Sequence, residues 1–467
     1  MLFERFEDKG LSQYSYAIGC VRAGVVAIVD PRRDVDVYLD FAAASKVRIT
    51  HVVETHIHAD FASGARELAA RSGAQYRPSG HDRGEMYEVG VPHNDLCDGE
   101  AIELGAARLV ARHTPGHTPE HLSFLVYDTV RTREVPQIFL TGDFLFVGSL
   151  GRPDLLGEDA KVALANQLFD SARDRIGDLP DGIEVHPGHG AGSMCGAGMS
   201  DRPMSTLGFE RIANPYLNRA MNREEFVDRI LSSAPPFPPY YTRMKRLNAA
   251  GPAILNGLPG LEALPAGRVR DLLTHGHVLV DLRDQIAFGA GHVPGAFGIG
   301  AGPGLSTWAS WVVPYDTPIV LLADDAAVVR EAIRSLVRVG LDQVVGYLDG
   351  GMPAWTGAGF PVSTLAQVTP EALRDRLARD RALAVLDVRG DAEFADGHID
   401  GAIHIMGGTL KDRVQELRGR GPMAIACGSG YRSTVAASVL ERAGFTDLIN
   451  LTGGMTAWTR SGLPVVR

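Results

Sequence analysis

The chain has 467 residues, of which 45% are hydrophobic and 22% charged, and this composition supports folded cores and excludes global disorder. At about 150 residues per domain, the length predicts roughly three domains. The 46 basic and 56 acidic residues give a net charge of -10, which argues against nucleic acid as a partner because its phosphates repel an acidic protein.

The N-terminal sequence and the cysteine spacing indicate where the protein works. MLFERFEDKG alternates charges where a signal peptide has an apolar stretch, and no window approaches the roughly 18 apolar residues of a membrane span. The cysteines are too widely spaced for a disulfide framework; they are Cys20, Cys97, Cys195 and Cys427. We therefore expect a cytoplasmic protein without a membrane partner, whose cysteines are free thiols.

Histidine and aspartate residues follow four apolar, strand-like segments of the N-terminal half. In chain order these residues are His56, His58 and Asp60, then His113 and His117, then Asp143, and finally His186 and His189. If the four strands share a sheet, these side chains converge at one edge of it. Imidazoles and carboxylates together suit a divalent first-row metal, so the sequence predicts a metal site at this edge.

A proline-rich stretch, SSAPPFPPYY at residues 232–241, follows the metal-binding pattern. Prolines fix the backbone angle φ and remove hydrogen-bond donors, so we expect an extended connector here. It separates an N-terminal domain, predicted at residues 1–245, from a C-terminal half.

The C-terminal half contains one pattern twice. The segment from Val278 matches the segment from Leu383, and the segment from Tyr347 matches the segment from Asn450, which indicates two copies of a fold of about 105 residues. Each copy alternates strands with a helix, an order that produces a mostly parallel sheet. We place the copies at residues 255–363 and 366–467.

The second copy contains a cysteine in a glycine-containing loop, CGSGYRS, between an apolar strand and a helix. Backbone N–H groups of such a loop, the helix N-terminus and Arg432 can lower the pKa of the Cys427 thiol and stabilise a persulfide anion. A small buried apolar cysteine is the alternative.

The first copy lacks this cysteine. When the strands are aligned, Ala323 stands in place of Cys427, and Val328 stands in place of Arg432. Two carboxylates, Asp324 and Asp325, also occupy the loop and would repel an anionic substrate. We therefore expect the first copy to be catalytically silent and to act as a spacer or an interaction surface.

The motifs THIHAD, TPGHT, TGD and PGHG resemble those of the metallo-β-lactamase superfamily, in the family's order. The resemblance implies an αββα sandwich with the metal between two sheets. Glyoxalase II-like hydrolases of this superfamily carry a further histidine, directly after the aspartate of the first motif, to bind a second metal. Phe61 occupies that position here, and this disfavours a two-metal hydrolase.

The remaining pattern resembles the persulfide dioxygenase branch. The resemblance implies one Fe(II) per chain, held by His56, His117 and Asp143, with three positions open for dioxygen and a substrate sulfur, as in non-haem iron oxygenases. Around these ligands, His58, Asp60 and His189 are expected to orient them. Arg152, in a GRPD stretch that also resembles this branch, is expected to hold the carboxylate of the thiol substrate or to position the neighbouring aspartate.

CGSGYRS, together with AVLDVR, GHIDGA and GGMTAW, resembles the rhodanese sulfurtransferases. This resemblance implies that Cys427 carries a sulfane sulfur and that Arg432 binds the anionic donor or acceptor. Loop residues expected to share in that binding are Gly428, Ser429, Gly430 and Tyr431. Three residues of the same copy match positions that mark the fold, and we interpret them as structural: Asp387, Arg389 and His398.

The order of the three domains resembles the fused persulfide dioxygenase and sulfurtransferase proteins of bacterial sulfide detoxification. It implies that a thiol persulfide of the glutathione or coenzyme A type is oxidised by O2 to sulfite and free thiol. Sulfur transfer through a Cys427 persulfide then gives thiosulfate, although the motifs leave the direction of this reaction open. GSMCG around Cys195 shares the resemblance, so Cys195 is a candidate second sulfur-handling thiol, with an inert structural cysteine as the alternative. We also expect a homo-oligomer.

Two rival interpretations stay open at this point. One is a zinc-dependent, glyoxalase II-like thioester hydrolase fused to a rhodanese, against which Phe61 counts. The other is a non-catalytic sulfur carrier or sensor, in which Cys427 relays sulfur to partner proteins and the metal is structural.

Overall fold

The computed structural model describes residues 1–467. The chain divides into two compact units, of which unit 1 comprises Met1–Gly257 with Val337–Gly340 and unit 2 comprises Leu258–Leu336 with Leu341–Arg467. None of the helices combines the length and the hydropathy that crossing a bilayer requires.

Unit 1 contains thirteen strands and six helices. The strands are β1 (Leu2–Asp8), β2 (Gln13–Cys20), β3 (Val25–Val29), β4 (Arg48–Val53), β5 (Gln75–Arg77), β6 (Ala101–Leu104), β7 (Ala107–His113), β8 (Leu122–Asp128), β9 (Ile138–Gly142), β10 (Leu145–Phe146), β11 (Ser149–Leu150), β12 (Glu184–Pro187) and β13 (Ser205–Thr206). The helices are α1 (Asp36–Ala44), α2 (Ala65–Ser72), α3 (Glu158–Asp174), α4 (Leu207–Ala213), α5 (Arg223–Ser233) and α6 (Tyr241–Ala250).

Two mixed sheets form the centre of unit 1. The first has five strands in the order β1-β2-β3-β4-β5, and the second has six in the order β13-β12-β9-β8-β7-β6. In the first sheet β3, β4 and β5 run parallel, and in the second β9 and β12 run parallel. Parallel neighbours place their carboxyl ends at the same edge of a sheet, so the loops after β4, β9 and β12 all begin at such edges.

Three apolar cores separate four layers in unit 1. The central core joins the facing sides of the two sheets and includes Ile18, Val29, Leu109 and Phe124. A second core packs α1 and α2 against the first sheet, and a third packs α3 and α5 against the second. Each sheet therefore buries both faces, and the predicted αββα sandwich is confirmed.

Unit 2 contains ten strands and ten α-helices. The strands are β14 (Ala263–Leu264), β15 (Val278–Asp281), β16 (Phe297–Gly298), β17 (Ile319–Leu322), β18 (Val344–Leu348), β19 (Ala366–Val368), β20 (Ala384–Asp387), β21 (Ile403–His404), β22 (Met423–Ala426) and β23 (Leu448–Leu451). The helices are α7 (Ala266–Thr274), α8 (Gln285–Ala290), α9 (Leu305–Val312), α10 (Ala326–Val337), α11 (Gly351–Gly357), α12 (Pro370–Arg379), α13 (Asp391–Asp396), α14 (Leu410–Arg413), α15 (Tyr431–Arg442) and α16 (Gly454–Arg460), and a 3-10 turn (Val414–Leu417) follows α14.

The two copies in unit 2 have the same topology. Their sheets run β14-β18-β17-β15-β16 and β19-β23-β22-β20-β21, and every strand pair in them is parallel. The central strands β17 and β22 are buried along their whole length, as expected for short apolar runs covered by helices on both faces. The predicted pair of parallel α/β copies is confirmed.

Candidate metal centre and thiol site

Three side chains of unit 1 present bare ligand atoms to one another. Candidate ligand atoms of His56, His117 and Asp143 all lie within 4.8 Å of one another, and the three residues are at most 3% exposed. His56 Nε2, His117 Nε2 and Asp143 Oδ2 are buried without a hydrogen-bond partner. Buried polar atoms are nearly always paired, so three orphaned atoms that face one another fit a bound cation.

The hydrogen bonds on the far side of each imidazole are consistent with that role. His117 Nδ1 donates to the carbonyl oxygen of Arg152 at 2.8 Å, which leaves the lone pair on Nε2. His56 Nδ1 lies 2.9 Å from Thr55 Oγ1. Burial, together with the neighbouring imidazoles, holds the pKa of both histidines well below its usual value, so both are neutral, as metal ligands must be.

Asp143 is held from two sides. His189 Nδ1 contacts Asp143 Oδ1 at 2.7 Å, and His189 Nε2 contacts Asp60 Oδ2 at 2.7 Å. Burial disfavours a charge on His189, but the carboxylates of Asp143 and Asp60 outweigh it and raise the pKa of His189 well above its usual value. The backbone N–H of Asp143 donates to His121 Nε2 at 3.1 Å. These contacts leave Asp143 Oδ2 as the free oxygen of the carboxylate.

His58 is not one of the three grouped ligands, although its ring centroid lies 4.2 Å from that of His56. His58 Nε2 lies 3.2 Å from Asp30 Oδ1, and although burial opposes a charge, Asp30 raises the pKa of His58 above its usual value. Phe61 is 1% exposed, and its ring centroid lies 4.3 Å from that of His58. The apolar ring of Phe61 thus occupies the position at which glyoxalase II-like hydrolases carry a further histidine.

Two other predicted histidines lie apart from the site. His113 Nε2 contacts the carbonyl oxygen of Pro119 at 2.8 Å. His186 Nε2 contacts Glu184 at 3.1 Å, and its ring packs edge-on against Tyr16. Both follow the strand pattern that suggested a common edge, but neither contributes an atom to the three-residue ligand group.

Gly188 and Arg152 shape the site through backbone geometry. A Cβ on Gly188 would lie 2.6 Å from Asp143 Oδ1, so only glycine allows this close approach. The guanidinium of Arg152 is 1% exposed and donates to Asp154 at 2.6 and 2.8 Å and to the carbonyl oxygen of Met194 at 3.1 Å. Arg152 therefore acts on His117 through its carbonyl, while its side chain contacts Asp154.

Cys195 lies beside the Asp60–His189 pair. Its sulfur and one candidate ligand atom from each of Asp60 and His189 lie within 4.8 Å of one another, and the sulfur lies 3.7 Å from Tyr241 Oη. Burial, and then the nearby carboxylates of Asp60 and Asp143, raise the pKa of this thiol well above its usual value. A thiol in this environment is a weak nucleophile at rest.

Helix α6 supports the metal-binding loop, a role that sequence reasoning missed. Asn248 Nδ2 donates to the carbonyl oxygens of His58 and Phe61 at 2.8 and 2.7 Å, and Asn248 Oδ1 accepts from the N–H of Ser63 at 2.8 Å. Lys245 Nζ donates to the carbonyl oxygen of Ile57 at 2.8 Å. No local motif links this helix to the loop. The available signal for such a contact was the presence of Asn248 and Lys245, two polar residues, on the buried face of the helix. His121 was missed as well, despite standing in the same TPGHTPEH segment as His117.

Cys427 directly follows β22 and precedes helix α15. It is fully buried, and its sulfur accepts from the N–H of Gly430 at 3.1 Å and lies 3.3 Å from Ser433 Oγ. Gly430 has a φ of 101°, a left-handed conformation that favours glycine. The carbonyl oxygen of Ser429 accepts from Gln285 Nε2 of the first copy at 3.4 Å.

The side chains on either side of this loop are engaged. Arg432 donates twice to Glu393, at 2.6 and 2.7 Å, and these hydrogen bonds lower the pKa of Glu393. Tyr431 Oη donates to the carbonyl oxygen of Gly300 in the first copy at 3.1 Å. The arginine expected to bind an anion is thus paired with a carboxylate.

In the first copy, Ala323 directly follows β17. It is 7% exposed and is followed by Asp324 and Asp325, both exposed. The loop contains no thiol, and its carboxylates line a cavity together with Tyr347 and Asp349.

The fold and the two sites define an αββα metal-site domain followed by two parallel α/β copies, of which only the second has a cysteine. The metallo-beta-lactamase superfamily matches residues 8–189, and the rhodanese-like domain family matches residues 266–358 and 369–461. The chain belongs to the metallo-beta-lactamase superfamily and carries two rhodanese-like domains in tandem.

Three curated proteins illustrate what the chain is similar to. The chain is 32% identical over 242 residues to hydroxyacylglutathione hydrolase of Anaeromyxobacter dehalogenans, a match that covers 46% of this chain and 86% of that protein. It is 28% identical over 232 residues to the mitochondrial persulfide dioxygenase ETHE1 of Bos taurus, covering 49% and 79%. It is 35% identical over 100 residues to a sulfurtransferase of Allochromatium vinosum, covering 21% and 94%.

Proposed function

We propose that the protein is a persulfide dioxygenase and sulfurtransferase that converts the sulfane sulfur of a thiol persulfide into sulfite and thiosulfate. The observation that carries the proposal is the group of three orphaned, buried ligand atoms of His56, His117 and Asp143, in a site where Phe61 replaces a second-metal donor. A cysteine-bearing loop in the same chain supplies the second activity. The relatives named persulfide dioxygenase and sulfurtransferase support both halves.

His56, His117 and Asp143 would hold one Fe(II). Two imidazoles and one carboxylate are a ligand set that suits Fe(II), and a bound Fe(II) would supply activation of O2 towards a nearby sulfur. The protein side chains keep this arrangement in place, because the carbonyl of Arg152 fixes the tautomer of His117 and His189 orients Asp143. In the net reaction, one persulfide, O2 and one water give one thiol, one sulfite dianion and two protons.

Cys427 would perform the second reaction. Its outer persulfide sulfur is transferred to sulfite, which breaks the S–S bond, forms the S–S bond of thiosulfate and returns the Cys427 thiolate. Arg432 would bind the sulfite or thiosulfate dianion, and the N–H of Gly430, which already contacts the sulfur, would stabilise its negative charge. The reverse reaction, from thiosulfate to a thiol acceptor, uses the same groups.

A zinc-dependent thioester hydrolase is the second candidate function. The relative named hydroxyacylglutathione hydrolase favours it, as does the single orphaned ligand set, which zinc can also occupy. The buried ring of Phe61 counts against it, because phenylalanine stands in place of the further histidine with which a hydrolase of this type binds its second metal.

The test is oxygen consumption by the full chain loaded with Fe(II), given glutathione persulfide or coenzyme A persulfide. We expect uptake with at least one of the two substrates, sulfite as the product and no uptake by His117→Ala, which lacks one ligand. Uptake that persists in His117→Ala would remove His117 from the site. Absence of uptake by iron-containing protein, together with cleavage of S-lactoylglutathione by the zinc form, would replace the dioxygenase by the hydrolase.

A further inference from the structure

The two rhodanese-like copies form an internal comparison, because their strands align in register. Leu321 of β17 pairs with Tyr347 of β18, and Ile425 of β22 pairs with Asn450 of β23. Tyr347 and Asn450 therefore occupy equivalent positions. Both copies fold without sharing the polar groups around the cysteine, so a polar group found only in the second copy is not needed for the fold.

Several polar side chains around Cys427 have apolar or unrelated counterparts in the silent copy. In addition to Ala323 and Val328, which replace Cys427 and Arg432, the counterparts are Val329 for Ser433, Tyr347 for Asn450 and Ala287 for Glu393. Val329 is 1% exposed, so the equivalent position of the helix packs well without a hydroxyl. The loss of these groups together with the thiol links them to the sulfur and not to the architecture.

Ser433 and Asn450 form a buried hydrogen-bond chain that ends at the sulfur. Ser433 Oγ donates to Asn450 Oδ1 at 2.5 Å and lies 3.3 Å from Cys427 Sγ. Both Ser433 and Asn450 are fully buried. Asn450 is oriented by its Nδ2, which donates to Gln367 Oε1 at 2.9 Å and to Thr434 Oγ1 at 3.2 Å, so its Oδ1 faces Ser433.

The single proton of the Ser433 hydroxyl can serve only one acceptor at a time. While Cys427 is a thiol, the hydroxyl donates to Asn450 and accepts the S–H proton. Once the sulfur is a thiolate, no S–H proton remains, and a rotation about the Cβ–Oγ bond turns the hydroxyl proton to the sulfur. A hydrogen bond to a charged acceptor is stronger than one to a neutral amide oxygen, so the exchange favours the anion.

We propose that Ser433, held by Asn450, is a positioning residue of the sulfur-transfer site that stabilises the anionic sulfur of Cys427 by this exchange. The inference rests on the proposed sulfurtransferase function of Cys427. The N–H of Gly430 and the hydroxyl of Ser433 then donate to the sulfur as two fixed neutral groups. The charged side chains bordering the loop are Arg432 on α15 and Glu393 on α13, with the Asp387–Arg389 pair after the neighbouring strand β20.

The experiment compares Ser433→Ala with the matched control Ser438→Ala. Ser438 is a second fully buried serine on α15, and its hydroxyl donates to the carbonyl oxygen of Val435. Persulfide formation on Cys427 of the full chain is followed from pH 5 to 10 as sulfite released from thiosulfate in a single turnover. Alkylation of Cys427 by iodoacetamide, resolved by peptide mass spectrometry, is measured over the same range.

We expect Ser433→Ala to move both pH profiles to higher pH by about one unit, which is about a tenfold loss of rate below the midpoint. Ser438→Ala should keep the wild-type profile, and Ser433→Thr, which retains the hydroxyl, should recover most of the rate. Superimposable profiles for Ser433→Ala and Ser438→Ala would overturn the inference. An equal shift in Ser433→Thr would also overturn it, because packing and not the hydroxyl would then be responsible.

The two readouts separate this inference from the function on which it rests. If the wild type releases no sulfite from thiosulfate, the proposed sulfurtransferase function fails, whatever the alkylation profile shows. If the wild type releases sulfite but Ser433→Ala alters neither profile, the function stands and the role of Ser433 fails.

Discussion

The guanidinium of Arg432 and the carboxylate of Glu393 form an ion pair beside the loop that carries Cys427. Two hydrogen bonds join them, and the side chains remain 26% and 46% exposed. Solvent therefore screens the pair, and its net contribution to stability is small, on the order of 1 kcal/mol or less. The pair is expected to affect substrate binding more than stability, because the carboxylate of Glu393 competes with an anionic substrate for the guanidinium of Arg432.

Replacing Glu393 by Gln should therefore strengthen binding of thiosulfate. Loss of the negative charge leaves Arg432 unneutralised, and we expect the KM for thiosulfate to fall about two- to fivefold, in line with a screened interaction of up to about 1 kcal/mol, with a steeper dependence on salt. The measurement is steady-state sulfurtransferase kinetics at two ionic strengths. Glu416→Gln, which breaks an exposed pair with Arg413 in the same copy, is the control. A rise in KM would mean that Glu393 chiefly positions Arg432.

At the scale of elements, helix α6 supports the loop that carries the candidate ligand His56. The matched superfamily region ends at residue 189, yet Asn248 of α6 satisfies three backbone groups of the loop that carries His58 and Phe61. Each of these groups is buried, and a buried polar group without a partner costs about 1–3 kcal/mol. The helix therefore helps to fix the loop of the candidate metal site although it lies outside the motifs.

Asn248→Ala should loosen this loop. Three backbone groups lose their partner, so we expect the free energy of unfolding of unit 1 to fall by about 2–4 kcal/mol after partial relaxation, with weaker retention of metal. Thermal unfolding and metal content after dialysis are the measurements. Asn166→Ala, at a partly buried site on α3 that does not contact this loop, should change neither quantity, and an Asn248→Ala protein as stable as this control would show that the loop holds its own shape.

The loop after β17 in the first copy lacks the groups that surround Cys427 in the second copy, so a cysteine placed there is not expected to be active. Ala323→Cys, introduced into a Cys427→Ser chain, should not restore sulfur transfer, and we expect no more than about 1% of the wild-type rate. The new thiol would lack an arginine, a hydroxyl donor and the glycine loop, and it would face two carboxylates. Sulfite release from thiosulfate measures this, and recovery of a substantial rate would show that the thiol alone suffices.

At the scale of the whole molecule, the candidate sites for the two proposed activities lie in separate compact units with separate cores. A substitution confined to one site should therefore leave the other unit folded, since additivity holds for distant residues without shared partners. In the proposed reactions, sulfite is the product of the first site and the substrate of the second. The ratio of sulfite to thiosulfate therefore reports on the activity of both sites.

Cys427→Ser should change the product and not the oxygen uptake. We expect the variant to consume oxygen with persulfide at the wild-type rate, to accumulate sulfite, and to form less than about 10% of the wild-type thiosulfate, because no thiol remains to carry sulfur. His117→Ala serves as the reciprocal variant, which should retain sulfur transfer from thiosulfate while losing oxygen uptake. Loss of oxygen uptake in Cys427→Ser would show that Cys427 also acts in the oxidation.

The αββα sandwich was expected only from the resemblance of the N-terminal motifs to the metallo-β-lactamase superfamily, whereas the sequence patterns by themselves determined the tandem α/β architecture and the candidates for both sites. This follows from local chemistry: strand periodicity, a histidine or aspartate at each strand end, and a cysteine before a helix are all visible within short segments. It also located the silent copy, because Ala323 aligns with Cys427 over a long repeat. His113 and His186 obey the same local pattern as His117, and no local signal distinguishes them.

Only the tertiary structure decided which of these groups meet. His56, His117 and Asp143 come from three different loops, and the contacts of His121 and Asn248 join segments that no motif connects. Likewise, the approach of Ser433 to Asn450 depends on the register of β22 against β23. A hydrogen bond requires its two atoms to lie about 3 Å apart. Residue types and their spacing in the sequence do not determine distances this closely, whereas the packing of the strands and helices does determine them.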